Sequence, residues 1–172
     1  KFKDLLIVKS EIFRDKRGIF KEAYKKKIIK KNLIFDCLSQ SKKNTIRGLH
    51  FQRTNPQGKF ITVVHGEILD VAVDLRKNSK TFGKHFSIRM KDDSDFSIYI
   101  PENFAHGFKC LSKTCTLYYK CTNYRHKDSE TTLKWNDPDL KINWKIKNPT
   151  LSKKDEEGRS FNEIKKILKI YN

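Results

Sequence analysis

Glycine and proline are scarce in this 172-residue chain, at 7 and 4 residues, which excludes collagen-like or low-complexity linker character. No apolar run approaches the roughly 20 residues that span a bilayer. The opening KFKDLLIVKSEIF has neither an apolar h-region nor a cleavage site, so a soluble protein with no membrane partner is expected. The cysteines are only four, Cys37, Cys110, Cys115 and Cys121, with no CxxC spacing. A structural zinc site therefore has no support, and reduced, mostly buried thiols in the cytoplasm are expected.

Acidic residues are also few, 20 against 38 basic ones, giving a net charge of +18. Such an excess raises nucleic acid, a membrane surface or a phosphorylated ligand as partners. Yet only 8 of the 38 basic residues are Arg, and the Lys are spread along the chain, densest at Lys25, Lys26, Lys27, Lys30 and Lys31. Base reading favours the planar fork of Arg. A solvated Lys-rich surface is the simpler reading, and no nucleic-acid partner is expected.

What is present is strand signal. With 37% hydrophobic and 12% aromatic residues, the chain can build one core, and residues 1–172 read as a single domain. In Glu67–Arg76, Leu69, Val71, Val73 and Leu75 alternate with Asp70, Ala72, Asp74 and Arg76, the period of a half-buried strand. Phe60–Val64 precedes it across His65-Gly66, which predicts a tight hairpin. Further strands are expected at His85–Met90, Phe96–Ile100, Phe104–Cys110 and Thr114–Cys121, separated by turn residues such as Asn78-Ser79, Phe82-Gly83 and Pro101-Glu102-Asn103. This pattern predicts a mostly-β antiparallel sandwich or barrel. Helix is expected only at residues 21–33 and at Ser160–Tyr171. There Ser160 and Glu163 form a capping box, and Ile164, Ile167, Leu168 and Tyr171 share an apolar face.

Two of the five histidines stand in unusual surroundings: His50 ends Thr45-Ile46-Arg47-Gly48-Leu49-His50, and His106 follows the turn at Pro101-Glu102-Asn103. The Arg47–Gln52 string suggests a strand carrying polar groups into the interior. Taken singly, either histidine fits a structural role as well as a chemical one. Tyr119 shares a strand face with Cys115, Leu117 and Cys121, so it points inward and is either a core tyrosine bonded to backbone or a proton donor in a cavity. Metal is not expected, because no HxH pair exists and Gln52 stands two residues after His50. No GxGxxG, P-loop, GxSxG or HExxH string is present either.

The strings Asp15-x-Arg17-Gly18-x-Phe20-x-Glu22, Arg47-Gly48-Leu49-His50-Phe51-Gln52, Gln57-Gly58-Lys59, Asp70–Arg76, Ile100-Pro101-Glu102-x-Phe104-Ala105-His106-Gly107-Phe108, Tyr119-Lys120-x-Thr122-Asn123-Tyr124, Trp135–Pro138 and Leu151–Asp155 run nearly end to end. In that order and spacing the chain resembles the dTDP-4-dehydrorhamnose 3,5-epimerases, of the cupin (jelly-roll) superfamily. The resemblance implies a cupin jelly-roll barrel with short flanking helices and a cofactor-free isomerase that inverts C3 and/or C5 of a nucleoside-diphosphate 4-keto-6-deoxy sugar, in deoxysugar (surface polysaccharide) biosynthesis. It further implies His50 as general base, Asp155 as the carboxylate that orients it, Lys59 as the cation beside the keto oxygen and Tyr119 as the acid on the opposite face. Arg47, Gln52, His106 and Tyr124 match substrate-binding positions. The resemblance also implies a homodimer exchanging N-terminal strands, in which Arg17, Phe20 and Glu22 reach the partner's nucleotide.

The chain departs from that pattern at two places. Where the family commonly has Gln-x-Asn-x-Ser, Phe35-Asp36-Cys37-Leu38-Ser39 stand here, which opens a GDP-linked sugar besides a dTDP-linked one. After Tyr124, Arg125-His126-Lys127 replace Tyr-x-Pro, which opens an enzyme acting at C3 or C5 alone. The other readings are a 3,4-ketoisomerase, whose strings fit less well, and a non-catalytic sugar-nucleotide or nucleic-acid binding module.

Overall fold

A computed structural model describes residues 2–170, with side chains to 168. In chain order the strands are β1 Leu6–Lys9, β2 Ile12–Asp15, β3 Gly18–Lys21, β4 Phe35–Lys42, β5 Ile46–Gln52, β6 Lys59–His65, β7 Glu67–Asp74, β8 His85–Lys91, β9 Phe96–Ile100, β10 Phe104–Cys110, β11 Thr114–Cys121 and β12 Glu130–Thr132. Two helices follow, α1 Lys153–Glu156 and α2 Phe161–Ile170. One five-stranded sheet has the order β1-β9-β6-β11-β4, the other β12-β5-β10-β7-β8. Neighbouring strands in both sheets run antiparallel, and from β4 to β11 the chain changes sheet at every step except the β7–β8 hairpin, in the manner of a jelly roll. Neither sheet closes on itself, so the expected barrel takes the form of a two-sheet sandwich.

Three expected strands have the bounds read from the sequence: β9, β10 and β11. Burial along β11 alternates residue by residue, with Cys115, Leu117, Tyr119 and Cys121 buried, as its periodicity dictates. The hairpin expected at His65-Gly66 does not form. β6 and β7 lie in different sheets, and Gly66 is the corner between them. Its φ is +78°, and a Cβ there would collide with the Thr114 carbonyl oxygen. A His-Gly dipeptide between two apolar runs marks a sharp turn but not whether the chain folds back within one sheet.

The strand β7 is not half-exposed either. Ile68 and Ala72 enter the core between the sheets, while Val71, Val73 and Leu75 enter a second core on the outer face, under Leu133, Leu140, Trp144, Phe161 and Ile164. Covered on both sides, neighbouring β10 is buried throughout. Asp70 and Asp74, the polar half of the alternation, are 1% and 0% exposed. Their carboxylates accept internal hydrogen bonds instead of facing water, which a polar period alone does not reveal.

Residues 22–33 form no helix. They cross the outer face of the first sheet, where Tyr24, Ile29 and Leu33 pack on Val8, Phe60 and Tyr99. Three adjacent lysines at 25–27 and no capping residue give a helix little support there, whereas lying on the sheet buries three apolar side chains. The second helix is as expected. The Ser160 N–H donates to Glu163 Oε2 at 2.8 Å, and the Glu163 N–H donates to Ser160 Oγ at 3.3 Å. Tyr171 lies outside the described residues. Among the described residues no helix is long and apolar enough to cross a membrane.

Candidate active site

One end of the space between the sheets stays open as a cavity of about 380 Å³. One wall comes from β4, β6 and β11 with Cys37, Ser39, Lys59, Tyr119 and Cys121, the other from β5 and β10 with Arg47, His50, His106 and Phe108. His50 and His106 are direct cross-strand partners, so both imidazoles belong to one face. Asp155 joins them from α1, whose first turn is capped by the Ser152 hydroxyl accepting from the Asp155 N–H. Of the residues singled out in the sequence, His50, Asp155, Lys59, Tyr119, Arg47, His106 and Gln52 come together, and all seven line this cavity.

His50 Nε2 and Asp155 Oδ1 are 2.5 Å apart. Burial works to raise the pKa of Asp155, but the hydrogen bond and charge of His50, with donors from Ser152 and the Gly48 N–H, outweigh it and hold the carboxyl below its ordinary value. His106 makes a second such pair, with Nε2 2.8 Å from Asp70 Oδ2. Burial lowers the His106 pKa more than the Asp70 carboxylate raises it, and the nearby charges of Lys59 and His50 lower it further. At neutral pH His106 is thus an uncharged imidazole. Burial also depresses the Lys59 amine, partly offset by Cys121, Glu130, Cys37 and Asp70. It raises the Tyr119 phenol, against the hydrogen bond with Ser39 at 3.2 Å, so Tyr119 holds its proton.

Gln52 lines the cavity, yet its amide is engaged by loop backbone. Its Nε2 donates to the Asn55 and Tyr124 carbonyls at 2.9 and 3.2 Å, and Oε1 accepts from the His126 N–H at 3.0 Å. It braces the two loops at the mouth. Tyr124 is 65% exposed, and its ring lies 5.9 Å from that of the rim residue Phe35, tilted at 55°. Arg17, Phe20 and Glu22 do not reach this cavity. They lie on or just after the β2–β3 hairpin, which forms a separate two-stranded sheet. There Arg17 binds Asp15 at 2.6 Å, Phe20 is 65% exposed and Glu22 pairs with Lys25.

Sequence reasoning missed Glu130 and Lys154 at the mouth, and marked Arg125 only as part of the departing loop after Tyr124. Glu130 Oε2 accepts from Arg125 Nη2 at 2.7 Å and stands 2.9 Å from Lys154 Nζ. Burial alone would raise the Glu130 carboxyl, and these two cations keep it below its ordinary value. It also missed Asp70, which the Asp70/Asp74 alternation placed on the water side. No sequence signal marks Glu130, whose place follows from the pairing of β12 with β5. Among the described residues no three of His, Cys, Asp or Glu converge as a metal site would require.

An oriented imidazole, a protonated phenol and a desolvated ammonium around one cavity suit removal of a proton beside a carbonyl and its return from another side. Mouth cations suit an anionic ligand. Residues 1–163 match the family described as dTDP-4-dehydrorhamnose 3,5-epimerase. A protein of that name from Methanothermobacter thermautotrophicus is 40% identical over 166 residues, 92% of this chain and 90% of its own. The crystal structure of dTDP-6-deoxy-D-glucose-3,5-epimerase from Legionella pneumophila, in complex with dTDP-4-keto-L-rhamnose, superposes with a TM-score of 0.87 at 37% identity, covering 92% of this chain and 88% of that one. A 4-keto-6-deoxy sugar epimerase from the novobiocin gene cluster of Streptomyces spheroides superposes with a TM-score of 0.91 at 30% identity, over 96% and 87%. On the match along nearly its whole length, the chain belongs to the dTDP-4-dehydrorhamnose 3,5-epimerase family.

Proposed function

We propose that this protein inverts C3 and C5 of a dTDP-linked 4-keto-6-deoxy sugar by successive deprotonation and reprotonation through an enolate. The observation that carries this reading is the His50–Asp155 pair opening into one cavity with Lys59 and Tyr119. The 4-ketone acidifies the hydrogens on C3 and C5. His50 removes one as general base while Asp155 orients the ring and stabilises the imidazolium. Lys59 stands by the oxygen where enolate charge develops. Tyr119 returns a proton to the opposite face, and that carbon is inverted. Arg47 and His106 hold the sugar and diphosphate, Arg47 itself being anchored by Ser41 Oγ at 2.8 Å and the Gln40 carbonyl at 3.0 Å.

A homodimer belongs to the same proposal. Phe13, Ile19 and Phe20 leave an exposed apolar hairpin, and a partner's cavity is where Arg17, Phe20 and Glu22 would act. The relatives named for dTDP sugars favour thymidine over guanosine, and a cytoplasmic setting goes with this reading. Proton NMR in deuterium oxide, with dTDP- and GDP-linked 4-keto-6-deoxy sugars supplied separately, is the test. Deuterium at both C3 and C5 of the dTDP sugar is expected. Exchange at one carbon would make it a single-centre enzyme, exchange only with the GDP sugar would change the base, and none with either would overturn the reading in favour of a binding module.

A further inference from the structure

Two thiols that the proposed reaction does not use line the cavity wall. Cys37 stands opposite Tyr119 in the β4–β11 pairing, and Cys121 lies two residues further along β11 on the same inward face. The two thiols are neighbours across that diagonal and face the same cavity. Cys121 is 1% exposed, whereas Cys37 is partly open. The neighbouring Cys121 is the largest influence on Cys37. Together with the positive charge of Lys59 it outweighs burial and brings the Cys37 thiol down to about 7. The proximity of Cys37, with burial, pushes Cys121 up. An accessible thiolate thus sits beside a protonated thiol, the arrangement of an attacking and a resolving cysteine.

The other two cysteines form an internal contrast. Cys110 and Cys115 are also neighbours, but both are fully buried in the core between the sheets, where the Cys110 thiol donates to the Ser41 and Ser112 carbonyls at 3.6 and 3.4 Å. Burial pushes the Cys115 thiol far up. Two thiol pairs in one chain therefore differ in access and in charge, and only one of them faces the cavity.

We propose that Cys37 is an oxidation site for hydrogen peroxide, with Cys121 as its resolving partner, and that the resulting disulfide shuts the cavity's chemistry reversibly. The Cys37 thiolate attacks one peroxide oxygen. The O–O bond breaks, hydroxide leaves and takes a proton as water, and Cys37 becomes a sulfenic acid. The Cys121 sulfur then displaces that hydroxyl, forming the S–S bond and releasing a second water. The two thiols lose two electrons and the peroxide gains them. Diagonal cross-strand positions lie about 7–8 Å apart at Cα, beyond the roughly 4.4–6.8 Å that a disulfide spans without backbone movement. The edge strand β4 must slip locally along β11 to close that gap, so the bond is strained and readily reduced. The movement alters the wall beside Tyr119 and takes from Lys59 the thiolate that supports its charge. This effect on activity rests on the proposed epimerisation; the thiol chemistry does not.

The test is titration of the intact reduced protein with hydrogen peroxide, followed by thiol alkylation, peptide mass mapping and the deuterium exchange assay. Cys37 is expected to react about tenfold or more faster than Cys110 and Cys115 and to appear linked to Cys121, with exchange lost and then restored by dithiothreitol. Cys121→Ser is expected to accumulate sulfenic and sulfinic Cys37 with irreversible loss of exchange. In Cys37→Ser, whatever its rate of exchange before treatment, peroxide is expected to leave that rate unchanged. Oxidation of Cys37 no faster than of the core pair, or a sulfinic Cys37 with Cys121 still free in the unsubstituted protein, would overturn the proposal. If the reduced protein shows no exchange at all, the epimerase reading fails while the mass map still decides this one.

Discussion

His50 Nε2 and Asp155 Oδ1 meet at 2.5 Å across 105 residues of chain. The carboxylate is 3% exposed yet stays an anion at neutral pH, because its hydrogen bonds with His50 and Ser152 help hold its pKa below the ordinary value despite burial. It can thus stabilise an imidazolium as His50 takes a proton. Asp155→Asn keeps the shape and removes the charge. Its kcat for deuterium exchange is expected to fall on the order of 10²- to 10⁴-fold, with KM little changed. A kcat equal to that of the parent would remove Asp155 from the reaction.

Tyr119 gives a prediction that separates two steps. Burial keeps its phenol protonated, and Ser39 Oγ at 3.2 Å is its hydrogen-bond partner. In Tyr119→Phe the base still opens the C–H bond, so exchange with solvent is expected to outlast inversion. Comparing deuterium uptake with the stereochemistry of the product checks this. Inversion at the parent rate would show that the proton arrives from elsewhere.

Gly48 fixes the approach of the two histidine strands. Its φ is +117°, and a Cβ there would lie 2.6 Å from both Gly107 Cα and the His106 carbonyl oxygen, main-chain atoms that cannot turn aside. Gly48→Ala must push β5 away from β10 while forcing an L residue into a backbone region it disfavours. A loss of about 2–4 kcal/mol is expected, read as a lower denaturant midpoint. Parent-like stability would mean that the strands separate at little cost.

Asp74 carries a pH dependence remote from the chemistry. Burial opposes its charge, but Arg76 at 2.7 Å, Ser79 at 2.6 Å and Thr81 at 2.6 Å donate to it and hold it at about 2, below an ordinary 3.8. Its folded pKa is below its unfolded one. The stabilisation is therefore complete above pH ~4 and is lost as pH falls toward ~2. Each tenfold change in proton affinity corresponds to about 1.4 kcal/mol, so the carboxylate contributes roughly 2 kcal/mol at neutral pH. Urea unfolding between pH 5 and pH 2 is expected to show a shallower loss for Asp74→Asn than for the parent. Equal slopes would place the acid sensitivity in other carboxylates.

Much of the sandwich is legible in the sequence because its strands obey local rules. β11 alternates with period two, and turn residues bound β9 and β10, so those elements can be placed residue by residue. The path of the chain at His65-Gly66 cannot, since a turn dipeptide carries no record of which sheet receives the next strand. Nor can the second core over Val71, Val73 and Leu75, because its partners, Leu140, Trp144 and Ile164 among them, come from segments distant in sequence.

The site divides in the same way. His50, His106, Lys59 and Tyr119 are visible as residue types in unusual strings, and resemblance supplies their roles. Glu130 is not visible, and Asp70 is misplaced by its alternation. Both are carboxylates whose importance lies in what they face, Arg125 and Lys154 for one and His106 for the other.

The sequence by itself determined the strand periods, the capped C-terminal helix, the inward phase of Tyr119 and the excess of lysine, since each follows from neighbours within a few residues. Only the tertiary structure decided that two sheets rather than one receive the strands, that the aspartates of β7 turn inward, and that Asp155 reaches His50. Those outcomes depend on which distant surfaces exclude water from one another, and burial is what makes a polar pair strong enough to matter.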